Sequence, residues 1–326
     1  MWRFLLRRLV FFVFTLFLTS VLVFLLTRIL PGDVARVILG RGASVARVKE
    51  LEEELGLNDH EVVQYVNWAT DFVQGDWGTT YRAPRLDARE VVMQRLENSA
   101  RLALVTVLMA VPLSILLGVI AGLTEGKLLD SVISILTLSV VSLPEFVTGL
   151  FFIEIVALKW KDNFIADALG WWFPPSSLVR GEVSFGEALP RLWLPAITAT
   201  LVLMAYVVRL VRAGVIEELK RDYVRTAVLK GIPYRVVIVK HVLRNALIPT
   251  ITVVATSTGW LFSGLVVIES VFGYPGLGSL LITNGINGRD LPLIQAIVMV
   301  TVAIILVANF TADVLYAVLN PRIRLE

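Results

Sequence analysis

The segment EELKRDYVRTAVLKGIPYRVVIVKHVLRN, Glu217–Asn245, is polar and basic, and it separates two long apolar runs of this 326-residue chain. The acids near its start and Lys230 at the end of its first half suit a helix dipole, while Gly231 suits the left-handed position that closes a helix. Pro233 suits the first turn of a second helix. The sequence therefore predicts a helix, a sharp Gly-Ile-Pro turn and another helix, held between two membrane spans.

Two interpretations of this segment stay open on the residues alone. Its many Lys and Arg residues are typical of any loop on the cytosolic side of a membrane, so it can be an ordinary loop. The apolar residues among the cations, Tyr223, Ala227, Leu229 and Ile232, favour a knob that docks into a cleft of another protein.

The composition indicates a membrane protein, because 56% of the residues are hydrophobic and the mean hydropathy is +0.77. Six apolar runs of about 20 residues match a hydrocarbon core of about 30 Å. They are Leu9–Leu30, Arg101–Leu123, Ser131–Lys159, Leu192–Val211, Ala246–Ile268 and Leu291–Leu315. We expect an all-α, polytopic protein with six transmembrane helices. The net charge of +3 says little by itself and does not indicate a nucleic-acid partner.

The distribution of cations sets the expected orientation. Arg3, Arg7 and Arg8 precede the first span, the Glu217–Asn245 loop is basic, and Arg322 and Arg324 follow the last span. Positive charge collects on the cytosolic side, so both termini and the basic loop are expected there. The first apolar run is too long for a typical signal-peptide core, and it is interpreted as an anchor that stays.

Three regions follow from this orientation. Residues 1–30 form the N-terminal cytosolic tail and first helix, residues 31–100 an extracytoplasmic segment, and residues 101–326 a transmembrane core that contains the basic loop 214–245. The external segment contains an acidic helix, VKELEEELGL from Val48, and a second helix from Glu61. One face of the second helix carries Val62, Tyr65, Val66, Ala69, Phe72 and Val73. This segment either caps the spans or receives a partner or cargo.

Another outer loop, from Lys161 to Arg191, contains Trp171, Trp172 and Phe173 and resembles an interfacial aromatic belt.

Ionisable residues in or beside the spans are candidates for intrinsic chemistry, because charges in hydrocarbon are costly. Arg28, Arg209 and Arg212 lie near span ends, where long side chains reach water. Glu145 follows Pro144, which frees backbone carbonyls in a helix. The candidates for lining a translocation path are Glu145, Glu154, Asn309 and Asp313. An autonomous secondary transporter that uses such acids as a proton relay is the alternative function.

Motifs for enzymatic chemistry are absent from the sequence. There is no Gly-x-x-x-x-Gly-Lys-Ser/Thr loop for phosphates, no His-Glu-x-x-His metal motif and no Gly-x-Ser-x-Gly elbow. The chain has no cysteine, and its only histidines are His60 and His241. We therefore expect neither an enzyme nor a metal centre, and no cofactor in this chain.

The basic loop resembles the Glu-Ala-Ala coupling loop of ABC importer permeases, here as DYVRTAVLKG from Asp222 and HVLRNALIPT from His241. The whole chain is similar to the first of the two permeases of the dipeptide, oligopeptide and nickel importer family. The other matching stretches are LPGD from Leu30, LGLNDHEVVQYVNW from Leu55, GDWGTT from Gly75, SLPEF from Ser142, ESVFGYPGLGSLL from Glu269, RDLPLIQA from Arg289 and NPRIR from Asn320.

The resemblance implies a type I importer permease in the plasma (inner) membrane of a prokaryote. Its implied partners are a second homologous permease, two cytosolic ATPases that bind ATP and magnesium, an extracytoplasmic solute-binding protein, membrane lipid and a peptide cargo. The coupling role falls on Asp222, Tyr223, Arg225, Thr226, Ala227, Lys230 and Gly231, with Arg244, Asn245 and Pro249 at the return into the membrane. The identity of the cargo stays open among dipeptides, longer peptides, nickel chelates and glutathione-like molecules.

Two details of the resemblance bear on its use. The loop departs from the usual Ala-Arg-Ala-Lys-Gly pattern, because Val228 and Leu229 bring an apolar residue to a position that is usually polar. The segment ESVFGYPGLG is expected outside the membrane between the last two spans, either as a plain turn or as a gate.

Overall fold

The computed structural model describes residues 2–29, 34–40, 42–54, 56–81, 84–159, 173–178 and 185–319. Within these ranges the chain is helical between its turns, and the only strand-like feature is an isolated bridge between Thr79 and Asp87. The predicted all-α fold is confirmed. The α-helices are α1 Trp2–Ile29, α2 Val34–Leu39, α3 Val45–Glu54, α4 Glu61–Gln74, α5 Ala88–Leu123, α6 Leu128–Ser142, α7 Glu145–Phe152, α8 Phe185–Leu219, α9 Asp222–Leu229, α10 Tyr234–Val236, α11 Leu243–Ala246, α12 Ile248–Phe272, α13 Leu277–Leu280 and α14 Leu291–Leu319.

Three π-helical stretches extend these elements. Ile153–Lys159 continues α7, Val237–Val242 joins α10 to α11, and Leu281–Ile286 continues α13. In the part of the chain that the structure describes, five helices are long and apolar enough to cross a membrane: α1, α5, α8, α12 and α14. The pair α6 and α7 makes a sixth span if it is counted as one, although it bends by 103° at Leu143 and Pro144. Six spans therefore agree with the sequence, but the third is broken, because proline removes a backbone donor and crowds the preceding turn.

The centre of the helical body is the packing of α5 on α8. Small residues on α5 make this contact possible, because a Cβ added at Gly118 would lie 2.6 Å from Cβ of Val211, and one at Gly122 would lie 2.7 Å from Cβ of Val215. The same two valines are fully buried in a cluster that continues into the basic loop. The basic loop therefore packs on the same valines of α8 that contact α5.

Two predicted spans are shorter than the helices that contain them. The span predicted from Arg101 belongs to α5, which begins at Ala88, where Asp87 caps it by accepting the N–H of Arg89 at 2.7 Å. The span predicted as Leu192–Val211 belongs to α8, which runs from Phe185 to Leu219. Polar turns at each end stay helical outside the apolar stretch, and apolar run length does not detect them.

The two helices predicted within residues 31–100 are present as α3 and α4. Of the apolar face predicted for α4, Val62 and Val73 are 63% and 87% exposed. Tyr65 of the same face contacts α1, where its ring lies 5.5 Å from the ring of Phe24. Trp68, which is outside the predicted set, lies 5.8 Å from the same ring. The helix therefore packs on α1 through its aromatic residues, since large rings make more contact area than valines.

Some expectations fall outside the described residues. They concern the LPGD stretch at residues 30–33, the aromatic pair at 171–172 with most of the loop around it, and the NPRIR stretch from residue 320.

Candidate functional site

The basic loop folds as the sequence predicts, with a short helix closed by Gly231. In α9 the N–H of Ile232 donates to the carbonyl of Ala227 at 3.3 Å, and the N–H of Gly231 donates to that of Val228 at 2.9 Å. Gly231 has a φ of +74°, so the pair of bonds forms a Schellman cap with glycine in the left-handed position. Pro233 lies at the N-cap of α10 rather than within its first turn. The segment from Asp222 to Val236 is called the knob below.

The knob is held to the helical body by a few buried apolar residues. Val224 and Ala227 are the buried residues of α9, and they belong to one cluster with Val237, Val242 and residues of α8. Beside them, a Cβ added at Gly214 of α8 would lie 2.9 Å from the carbonyl oxygen of Ala246. Helix α11, which contains Ala246, therefore packs directly on α8, beside the buried contacts that hold the knob.

Tyr223 adds a polar attachment. Its hydroxyl donates to Oε2 of Glu218 at 2.5 Å and accepts from Nδ2 of Asn245 at 3.3 Å. Burial, followed by the hydrogen bond to Glu218, raises the pKa of the phenol above its ordinary value. The phenol therefore stays protonated and available as a donor at neutral pH, and it joins α8, α9 and α11.

The opposite side of the knob faces outward. Asp222, Arg225, Thr226 and Lys230 are exposed, and Leu229, at 79%, is among the most exposed large apolar residues. Arg244, Asn245 and Pro249 are also exposed where the chain returns into α12. An apolar tip among charged residues is typical of a surface that is covered by a partner. This geometry favours docking over an ordinary loop.

Two ion pairs lie beside the C-terminal end of α8, where the chain turns from α5 into α6. Asp130 of α6 is buried, and its carboxylate accepts from Nε and Nη2 of Arg212 at 2.5 and 2.8 Å and from the N–H of Gly126 at 2.9 Å. Lys220 pairs with Glu125 at 3.1 Å. The side chain of Arg212 is 32% exposed, as expected near a span end, and its guanidinium makes a bidentate contact that the sequence did not predict.

Glu145 and Asn309 both line a cavity of about 710 Å³ between α6, α7, α8, α12 and α14. Arg209, Tyr206 and Trp260 line the same cavity, although they belong to α8 and α12. Glu145 lies beside Gly264, where an added Cβ would be 3.4 Å from its Oε1. The sequence predicted Glu145 and Asn309 as path residues and Arg209 as a side chain that reaches water at a span end. Tyr206 and Trp260 were missed, because contact between distant spans leaves no local signal.

The other two candidates for the path lie elsewhere. Glu154 pairs with Lys159 at 3.2 Å on the exposed π-helical end of the bent span. Asp313 pairs with Nε of Arg8 at 3.2 Å and so joins α14 to α1. Arg28, at the other end of α1, pairs with Glu61 of α4 at 3.0 Å. The pairs of Asp313 and of Arg28 each join two helices, whereas the pair of Glu154 lies within one π-helical stretch.

The segment ESVFGYPGLG forms an anchored turn. Gly273 ends α12 in the left-handed conformation, and Tyr274 is buried with its hydroxyl donating to the carbonyl of Asn98 at 2.9 Å. Glu269 is buried and accepts from Ser99 Oγ at 2.5 Å and from the N–H of Gly278 at 2.7 Å. The turn is therefore fixed to α5 by side chains that are distant in sequence. Among the described residues no cluster of His, Cys, Asp or Glu is placed to hold a metal ion.

A helical body with five or six apolar spans, a capped and exposed knob, and a mainly apolar cavity that contains Glu145 and Arg209 is typical of the permease class of membrane transport proteins. The sequence profile described as "Binding-protein-dependent transport system inner membrane component" matches residues 114–325, and the profile of the N-terminal region of such components matches residues 1–87. The chain therefore belongs to the family of binding-protein-dependent transport system inner membrane components.

Individual relatives match over nearly the whole chain. The probable peptide ABC transporter permease protein y4tP of Sinorhizobium fredii is 31% identical over 325 residues, which are 98% of this chain and 99% of the relative. The oligopeptide transport system permease protein AppB of Bacillus subtilis is 33% identical, with 93% of both chains covered. The glutathione transport system permease protein GsiC of Shigella flexneri is 33% identical, with 99% of both covered.

These matches determine the class of activity. The chain is a multi-pass permease subunit of an ABC importer in the inner membrane, and it is a transport component rather than a catalytic subunit. Other components of an ABC system act with it. The comparisons favour this function over the autonomous secondary transporter.

Proposed function

We propose that this chain imports peptides together with a second homologous permease, two cytosolic ATPases and an extracytoplasmic solute-binding protein. The names of the relatives support a cargo with peptide bonds, since they cover peptide, oligopeptide and glutathione systems. ATP and magnesium belong to the partner ATPases, because this sequence has no loop of its own to bind nucleotide phosphates. No nucleic acid takes part.

The observation that carries this proposal is the geometry of the knob. A helix of only eight residues, Asp222–Leu229, is stable on a surface when a cap and a few buried contacts hold it, and here both are present. Leu229, the apolar tip of this helix, is 79% exposed. We propose that the tip docks into an ATPase, and that Asp222, Arg225, Thr226 and Lys230 surround this contact. The coupling set is completed by Tyr223, Ala227 and Gly231, which hold the knob in shape, and by Arg244, Asn245 and Pro249 at the return into the membrane.

The proposed orientation follows the cations. Arg7 and Arg8 of α1 and the basic knob are assigned to the cytosol, where positive charge is retained, so both termini are cytosolic. Helices α2 to α4 then belong to the extracytoplasmic segment 31–100, and the core 101–326 carries the spans and the loop 214–245. The cavity that contains Glu145 and Asn309 is proposed as part of the translocation path. Glu154 and Asp313, the other residues proposed for the path, lie outside this cavity, where Glu154 pairs with Lys159 of its own element and Asp313 with Arg8 of α1.

The test is isolation of the complex from native membranes in mild detergent, followed by mass spectrometry and by uptake assays in proteoliposomes. We expect a homologous permease, two ATPase chains and a binding protein to be recovered with this chain, and uptake of the binding protein's ligand to require ATP. Recovery of this chain alone, with uptake driven by a proton gradient and independent of ATP, would overturn the proposal. Exchange of the exposed Leu229 for Asp adds a specific check, because it is expected to release the ATPases while the permeases stay together.

A further inference from the structure

The cavity between α6, α7, α8, α12 and α14 contains two opposite charges with no intramolecular partner among the described residues. No hydrogen bond or ion pair within those residues involves the carboxylate of Glu145 or the guanidinium of Arg209. Of the other acids described above, Asp130 pairs with Arg212, Asp313 with Arg8 and Glu154 with Lys159, and Glu269 accepts hydrogen bonds from Ser99 and from backbone N–H groups. Unpaired charges inside a membrane protein are costly and indicate a polar ligand.

The cavity lies toward the end of α8 that leads into the knob. Arg209 belongs to the last turn of the apolar stretch Leu192–Val211, and Asn309 lies in the second half of the apolar part of α14, Leu291–Leu315. The break at Pro144 between α6 and α7 opens onto the same cavity. Non-helical backbone in a membrane protein is tolerated where it lines such a space.

We propose, on the basis of the proposed function, that this cavity is a transient binding site for a short zwitterionic peptide. Glu145 binds the α-ammonium group and Arg209 the α-carboxylate. A guanidinium binds a carboxylate through two parallel hydrogen bonds, and a carboxylate accepts from an ammonium group, so each end of the peptide has a charged partner. A volume of about 710 Å³ lies within the range of small-molecule sites and accommodates a few residues of peptide.

The remaining lining residues suit the middle of such a peptide. Tyr206 and Trp260 are 53% and 55% exposed, and their rings offer broad surfaces to side chains of varied shape. Asn309, Thr256 and Ser257 provide amide and hydroxyl groups for peptide bonds. Free termini and peptide bonds are the features that all short peptides share, so a site that binds these groups accepts peptides of many sequences.

The test is photolabelling of the complex, purified with its partner subunits, by alanyl-alanyl-p-benzoylphenylalanine with free termini. We expect labels on α8 near Tyr206 and on α12 near Trp260, and we expect trialanine to compete about tenfold better than its N-acetyl form or its amide. In Glu145→Gln the N-acetyl form should compete as well as trialanine, while the amide remains weaker. In Arg209→Gln the pattern should reverse. Labelling needs neither ATP nor the binding protein.

Matched variants separate binding from folding. Glu145→Asp and Arg209→Lys keep the charges and should keep the preference for free termini. Glu97→Gln removes an acid of α5 that pairs with Arg101 and lies outside the cavity, and it should change nothing. Labels elsewhere, or variants that alter all competitors equally, would overturn the proposal. ATP-independent uptake by the wild-type complex would instead overturn the importer proposal and leave the labelling result intact.

Discussion

The Oγ atom of Ser99 donates a 2.5 Å hydrogen bond to Oε1 of Glu269, and this buried contact joins α5 to the C-terminal end of α12. The other carboxylate oxygen accepts the N–H groups of Gly278 and Ser279 at the start of α13, at 2.7 and 3.3 Å. Gly276 passes so close that an added Cβ would overlap the carboxylate. One acid therefore positions the whole turn between the last two spans.

Replacement of Glu269 by Ala is expected to destabilise the chain. Three donors would lose their acceptor in a buried place, and hydrogen bonds to charged groups contribute about 1.5 to 3 kcal/mol each, with part recovered by entry of water. We expect a loss of about 3 kcal/mol in the free energy of unfolding, measured as a lower midpoint of thermal unfolding of the purified complex. Ser270→Ala is the control, because the Ser270 hydroxyl is exposed and bonds only within its own helix. Equal midpoints for both variants would contradict this assignment.

Gly231→Val is expected to lower ATP-driven uptake without preventing membrane insertion. A Cβ at Gly231 meets no atom within 4 Å, so the effect comes from the backbone, whose φ of +74° is unfavourable for a β-branched residue. A non-glycine residue in this conformation costs about 1 to 2 kcal/mol, which is enough to open the Schellman cap of a short helix. Uptake per ATP hydrolysed in proteoliposomes measures the coupling.

Two further variants isolate the role of the position. Gly231→Asn should keep most of the coupling, because asparagine adopts the left-handed conformation more readily than valine. Gly40→Val introduces the same strain after α2, at a φ of +85° and with open space around it, but far from the knob. Its coupling ratio is expected to match the wild type. Normal uptake in Gly231→Val would refute the assignment.

Local features of this chain were predictable from the sequence. The helix of the knob and its glycine cap depend on interactions within about six residues, and their residue types carry that information. The apolar run predicts one span from Ser131 to Lys159 and does not show the bend at Pro144, although proline frees backbone carbonyls in a helix. The apolar runs indicated the spans for the same reason, since the length of a run relates directly to membrane thickness. The ends of α5 and α8 were missed, because the polar turns beyond the hydrocarbon remain helical.

Contacts between distant spans were not predictable in this way. Asp130 and Arg212 are 82 residues apart, and Ser99 and Glu269 are 170 apart. Which charges meet depends on how the helices are rotated, and close contacts such as Gly118 with Val211 set that rotation. A rotation of one helix by half a turn moves Arg209 from the cavity to the lipid. The contact of Trp68 on α4 with Phe24 on α1 was missed for the same reason.

The bidentate pair of Asp130 and Arg212 is expected to stabilise the junction of α6 and α8 beside the knob. Asp130→Ala leaves the N–H of Gly126 and a half-buried guanidinium without their acceptor, so we expect a loss of about 2 kcal/mol in the free energy of unfolding. The double variant with Arg212→Ala should lose less than the sum of the single variants, because the two residues share one interaction. Thermal unfolding of the four proteins completes the cycle.

The nearby pair of Lys220 and Glu125 is the control for that cycle. Its side chains are 66% and 47% exposed, and exposed ion pairs contribute less than about 1 kcal/mol. Its coupling energy should be small and should vanish in concentrated salt. A coupling between Asp130 and Arg212 that is just as small would show that their contact is merely incidental.

Tyr223→Phe is expected to loosen the knob in a pH-dependent way. The variant removes the hydrogen bonds to Glu218 and Asn245, which together are expected to contribute about 1 kcal/mol. Burial, with the Glu218 hydrogen bond, raises the pKa of the folded-state phenol, so the stabilisation is complete below the ordinary pKa of a tyrosine, about 10. As the pH rises above that value the unfolded chain ionises first, and the stabilisation declines until the folded phenol also ionises.

The difference in unfolding midpoint between wild type and Tyr223→Phe should therefore be constant from about pH 7 to 9 and shrink above about pH 10. A difference that grows above pH 10 would show that the folded state favours the ionised phenol, contrary to the contact with Glu218.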